Sequence, residues 1–189
     1  MRRKRRLFAC AILCLVMSLM VQTTQAYFTA SRTARNVVTS GGIDIVLHEE
    51  TDGGKPFQNL TGIMPGTEVT KKVYVENLDE AAWIRILCDV RILDANGREM
   101  NLTDAQLAKV IHIDYNTKDW GEKDGIWYYF QPLSRNGKTA PLFTTVAFDG
   151  PGMTNEYQNC KVEIIVQAQA TQRANNGTDV LSAAGWPAF

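Results

Sequence analysis

The chain has 189 residues, with 20 Lys plus Arg set against 20 Asp plus Glu and a formal net charge of zero. A grip on nucleic acid needs clustered Lys and Arg. Beyond the first six residues the basic side chains are interleaved with carboxylates, which argues against that partner class. The length suits one ordinary domain that buries its core without extra staples.

The N-terminus carries a basic cluster, Arg2 to Arg6, then an apolar run from Leu7 to Val21, then polar Gln22 to Gln25 and small Ala26. That order is the pattern of an export leader: positive flank, short apolar stretch, small residues for a signal peptidase. Cleavage after Ala26 is expected, making residues 1–26 a leader and 27–189 a single domain that begins at Tyr27. The apolar run falls short of the ~20 residues that cross a bilayer as a helix. No other segment is apolar for long enough, so no membrane attachment is expected after cleavage. Loss of the five basic leader residues leaves 15 basic against 20 acidic, a net charge of −5.

Strict apolar/polar alternation then recurs along the chain, the mark of half-buried antiparallel strands. Strands are expected over Val37–Thr39, Ile43–Leu47, Glu68–Glu76, Trp83–Leu93, Val110–Tyr115, Ile126–Gln131, Leu142–Phe148 and Cys160–Thr171. Turn residues separate them: Asp52-Gly53-Gly54, Pro65-Gly66, Asp94-Ala95-Asn96-Gly97, Arg135-Asn136-Gly137 and Asp149-Gly150-Pro151-Gly152. About eight short strands punctuated in this way predict an all-β, jelly-roll-like antiparallel sandwich. Thr103 and Gln106 have the spacing of a capping box and predict a short helix after Leu102. A second helical turn is expected over Asp179–Ala184, and a polar loop over Lys118–Gly125.

Only Cys88 and Cys160 follow the leader. Each sits at an inward position of its alternating segment. They are either a disulfide, if their strands adjoin, or two thiols packed as small hydrophobes.

Catalytic chemistry lacks its usual materials. His48 and His112 are the only histidines. His48-Glu49-Glu50 lacks the second histidine, four residues on, that a helical zinc-protease motif requires; Asp52 stands there. Neither a nucleophile elbow nor a phosphate loop nor a dinucleotide fingerprint is present. Glu122 and Asp124 read as solvated loop carboxylates, and Asp94 and Asn96 lack the ligand count of a calcium loop. No cofactor and no catalytic or metal-binding residue is expected. Two rivals remain: a secreted protease binding metal at His48 or His112, and a carbohydrate or surface-binding module using Trp120, Trp127 or Tyr129. Of the contiguous aromatics Trp127 to Phe130, alternation puts two on each face of a strand, and a neighbouring element is expected to close the second face.

Several segments together resemble the camelysin and TasA-like family of exported Gram-positive proteins. They are Ala26-Tyr27-Phe28-Thr29, the stretch Asn36–Leu47 with Gly41-Gly42-Ile43-Asp44-Ile45, and Met64-Pro65-Gly66-Thr67-Glu68-Val69 leading to Val73–Leu78. Gly125–Phe130 and Val162–Gln172 extend the likeness in order. The resemblance implies a jelly-roll domain, a dedicated signal peptidase, and a fibre-forming or surface role in the extracellular matrix. Some members carry a metalloendopeptidase label, for which this sequence lacks the histidine pair.

The physical reading adds a mechanism. An exposed sheet edge offers unpaired backbone donors and acceptors that a strand of another copy can occupy. Tyr27-Phe28-Thr29-Ala30, freed by cleavage, is the candidate donor strand, with residues 27 to about 38 as its outer extent; the alternative is that these residues complete the edge of their own sheet. Such head-to-tail contacts do not close, so they propagate into a filament. The expectation is therefore a secreted structural protein that self-associates into fibres, not an enzyme.

Overall fold

The alternating segments become strands that share one core. The structure, a computed structural model, describes residues 36–39, 43–57, 65–157 and 160–189. Nine strands are present among them: β1 Asn36–Thr39, β2 Ile45–Glu50, β3 Glu68–Asn77, β4 Ala82–Leu93, β5 Ile111–Ile113, β6 Trp120–Lys123, β7 Ile126–Tyr129, β8 Phe143–Phe148 and β9 Lys161–Gln172. They form two sheets, sheet I in the order β1-β9-β4-β7-β6 and sheet II in the order β2-β3-β8-β5. Hairpins join β2 to β3 and β6 to β7; every other connection passes from one sheet to the other. That interleaving is the jelly-roll-like wrap, and the all-β sandwich expected from the alternation is what is found. One pair departs from the antiparallel rule, because β1 lies parallel to β9.

Inward positions follow the period of two, with one break in β8, where Phe143 and Val146 lie three residues apart opposite an irregularity in β3. β4 contributes Ile84, Ile86 and Ile92, β3 contributes Val73 and Val75, β8 contributes Phe143, Val146 and Phe148, and β9 contributes Val166, Ala168 and Ala170. Each large aliphatic buried in this way is worth ~1.5–3 kcal/mol relative to exposure. The longest pairing, β4 with β9, runs in unbroken register from Ala82↔Gln172 to Leu93↔Lys161 and forms the centre of sheet I.

Local chemistry sets the boundaries. Asn77, fully buried at the end of β3, donates its amide to the carbonyls of Glu80 and Leu133 and accepts from the Asp79 N–H, pinning two loops at one point. A bulge interrupts the β3–β8 pairing between Thr70 and Val73. Beside it, Asp114 accepts from the N–H groups of Thr144 and Thr145 at 2.8 and 2.7 Å and from the Thr144 hydroxyl at 2.6 Å. Burial works against charge at Asp114, but these bonds outweigh it and hold the carboxyl below its ordinary range. The short helix α1, Asp104–Leu107, carries the expected capping box between Thr103 and Gln106.

Two expectations are corrected. Lys118–Gly125 is not a loop: it holds β6 and its turn to β7. Asp124 (φ 54°) and Gly125 (φ 77°) provide the two positive φ angles of the tight hairpin, and Glu122 accepts from the Gly125 N–H at 2.6 Å. Asp179–Ala184 contains turns and no helix, because the Asp179 carboxylate binds the N–H groups of Leu181 and Ser182 and closes a local turn.

Candidate functional site

Chemistry-bearing side chains gather in four places. The first is the β1 edge of sheet I. Asn36 to Thr39 pair in parallel with Gln167 to Ala170 of β9. The expected cleavage site, Ala26 and Tyr27, and the expected donor strand, Tyr27 to Ala30, lie outside the described residues. Residues 36–38, the outer part of the expected donor segment, pair here with β9 of their own chain, as the alternative of completing their own sheet requires.

The second place is the outer face of sheet II. The register sets His48 opposite Tyr74, Val46 opposite Glu76 and Glu50 opposite Lys72. The His48 ring stacks on Tyr74 at 4.6 Å with an interplanar angle of 8°. Its Nε2 meets Glu76 at 2.9 Å while Nδ1 faces Glu50 at 3.9 Å. The Tyr74 hydroxyl donates to Glu50 at 2.7 Å, and Lys138 reaches Glu76 at 3.6 Å. Burial first, then the bond to Glu50 and the charges of Glu50 and Glu76, push the Tyr74 phenol up to about 12. The two carboxylates lie on opposite edges of the imidazole, so the three groups do not converge on one point, as metal ligands must. His112 is exposed elsewhere, 3.7 Å from Asp149. No group of three or more His, Cys, Asp or Glu suited to a metal occurs among the described residues.

The third place is inside the sandwich. Lys71 has the same inward parity as Val73 and Val75 and is only 3% exposed; its ammonium pairs with Glu49 of β2 and lies 4.0 Å from the centre of the Phe57 ring. Close by, the Tyr115 hydroxyl donates to the Cys88 sulfur at 3.6 Å, and the Tyr115 ring stacks on Trp127 at 4.4 Å. Burial pushes the Cys88 thiol up to about 11 and the Tyr115 phenol well above its ordinary value, so both are neutral and unreactive near pH 7. Cys160 is also a free thiol, its sulfur 3.6 Å from that of Met100. The disulfide alternative is ruled out by register. Cys88 faces Val166, six residues along β9 from Cys160, so the two are separated by about 20 Å at the rise of a strand, far beyond the reach of a disulfide.

The fourth place is the outer face of sheet I, covered by the C-terminal segment 173–189. Trp83 and Arg85 on β4, Tyr128 on β7 and Gln169 on β9 lie beneath it. Trp83, 2% exposed, donates its indole N–H to the Asn176 carbonyl. Arg85 donates to Gln169 Oε1 at 2.8 Å and to the Pro187 carbonyl at 2.9 Å, with Trp186 and Phe189 ring centres 4.7 and 4.8 Å from its guanidinium. Trp186 also meets Tyr128 edge-on at 6.2 Å. The tail thus covers Tyr128, while Phe130, the other ring of that alternate pair, stays exposed, so the second face is closed only in part. Trp120, Trp127 and Tyr129 point the other way. Trp120 is 1% exposed with its N–H on the Ala140 carbonyl, and the other two pack against the core, so none offers an open ring face for a sugar.

The remaining sequence candidates are accounted for by turns: Asp94 accepts from the N–H groups of Asn96 and Arg98 and closes its hairpin. Sequence reasoning missed Lys71, Arg85 and Gln169. Lys71 was the findable one, since strand parity alone turns it inward. No helix among the described residues is long and apolar enough to cross a membrane. Comparisons with protein-family profiles, with characterised proteins and with solved structures returned no match to this chain.

Proposed function

We propose that the chain is an exported structural protein of the extracellular matrix or cell surface, one that assembles into fibres by lending its N-terminal strand to the next copy. The observation that supports this reading is the place of β1: Asn36–Thr39, which follow the candidate donor segment in sequence, form the outermost described strand of sheet I, parallel to β9. The leader pattern adds a switch: cleavage after Ala26 would free a short apolar segment, Tyr27 to Ala30. Much of both described outer faces is covered or charge-paired, which favours edge pairing as the route for association. The histidine, carboxylate and thiol groups are engaged in packing and turns, which supports a structural role over the protease one.

Electron microscopy of the chain beginning at Tyr27, with and without deletion of Tyr27–Ser31, tests this directly. Filaments from the intact form and folded monomers from the deletion are expected. Filaments of undiminished length from the deleted form would contradict the reading.

A further inference from the structure

Strand parity turns a cation and an anion into the sandwich side by side. Lys71 shares the inward face of β3 with Val73 and Val75, and Glu49 shares that of β2 with Ile45 and Leu47. The register sets Glu49 opposite Val73, so Lys71 lies on the diagonal, two residues along β3. Diagonal neighbours in an antiparallel pair are about 7–8 Å apart, a gap that two long side chains close between them. Here they do close it: the Lys71 Nζ and a Glu49 carboxylate oxygen are in direct contact.

The surroundings keep water from the nitrogen. Lys71 is 3% exposed, and the Phe57 ring centre lies 4.0 Å from its Nζ. Cys88, inward from the opposite sheet, is near enough that the charges of both Lys71 and Glu49 act on its thiol. Among the described residues Glu49 is the only hydrogen-bond partner of the Lys71 ammonium, which has three N–H groups to satisfy. A buried ion pair offsets its desolvation only when further hydrogen bonds surround it, and this one has few. Loss of one water removes both charges and leaves an amide with a single N–H. The Glu49 side chain is 19% exposed, which gives that water a way out.

We infer that Lys71 and Glu49 condense into an amide, a covalent cross-link between β3 and β2. The ammonium passes one proton to the carboxylate it touches, and the neutral amine adds to the carboxyl carbon Cδ. The C–O bond then breaks, and the hydroxyl leaves with a second nitrogen proton as water. Atoms and charge balance, and the step draws on no oxidant and no cofactor. The fixed contact supplies the effective concentration, and the dry surroundings favour a neutral amide over two buried charges. The bond provides the covalent tie that Cys88 and Cys160 are too far apart to make, and it does not depend on the fibre reading.

Intact-mass spectrometry of the folded chain beginning at Tyr27 tests this. The expected mass is about 18 Da, one water, below that of the sequence. A tryptic digest is expected to show no cut after Lys71 and a branched peptide joining the segments that hold Glu49 and Lys71. Lys71→Arg and Glu49→Ala are expected to restore the full mass. Glu49→Gln is expected to fall about 17 Da, one ammonia, below its own sequence mass, because the leaving group changes with the side chain. The mass of the unaltered chain decides the matter even where a variant fails to fold. A folded chain of full mass would overturn the cross-link. So would a lost water mapped to Asp52-Gly53, Asp124-Gly125 or Asp149-Gly150, where closure of an aspartyl ring removes the same mass.

Discussion

The outer faces of the two sheets solve the same problem in opposite ways. Both present polar and aromatic side chains at alternate positions, and both place an aromatic ring against a basic group. On sheet II the ladder His48, Tyr74, Glu50, Glu76 and Lys138 satisfies itself and stays partly in water. On sheet I the row Trp83, Arg85, Gln169 and Tyr128 is covered by the chain end, and Gln169 is buried with its Nε2 unpartnered. Cross-strand pairing by itself leaves a face open; only a covering segment turns it into a second small core. The stability of sheet I should therefore depend on residues far away in sequence, and that of sheet II only on neighbours.

The sharpest way to break the comparison is Trp83→Ala. It removes a fully buried indole and its bond to Asn176, with an expected loss of about 3 kcal/mol, read by denaturant unfolding. Arg85→Ala takes the last partner from the buried Gln169 side chain and releases Trp186 and Phe189; about 1–3 kcal/mol is expected. Cleavage of the tail by carboxypeptidase should become faster in that variant. On sheet II, Tyr74→Phe or His48→Ala should cost below about 1 kcal/mol, since the charges there are about a quarter exposed and screened by salt. A loss at His48 as large as that at Trp83 would erase the distinction.

Titration sharpens the contrast on the sheet II side. The Tyr74 phenol is raised to about 12, so the folded state keeps its proton where the unfolded chain, near 10, has lost it. The stabilisation is complete below about pH 10 and fades as pH rises toward 12. Glu50→Gln should lower the value seen by ultraviolet absorbance of the phenolate. Asp114 runs the opposite way. Its depressed value means that its contribution is present above about pH 4 and is lost as pH falls through the folded value, and Asp114→Asn should flatten that acid limb. The thiols provide the smallest effect: in folded protein a thiol reagent should label Cys160 before Cys88, with intact mass showing no internal disulfide.

Period-two alternation was enough to read the sandwich, because β3, β4, β8 and β9 are long and one-sided. The capping box at Thr103 and Gln106 was legible for the same reason, a fixed spacing with a fixed geometry. β6 was hidden because its outward positions are Gly121 and Lys123 and one inward position is Glu122, leaving Trp120 as the only apolar marker; the Asp124-Gly125 pair was the available sign. The Cys88 and Cys160 relation could not be read without register, since inward parity says which face a residue takes and nothing about its level along the strand. The cover over sheet I was equally invisible, because segment 173–189 has no periodicity and is held by backbone carbonyls and single side chains.

The proposed association through the edge of sheet I is tested most directly by hydrogen exchange across β1 and β9 before and after assembly. Amides at that edge are expected to gain protection in assembled protein while the β4–β9 ladder is unchanged. Equal exchange of those amides in both states would show that association runs through some other surface.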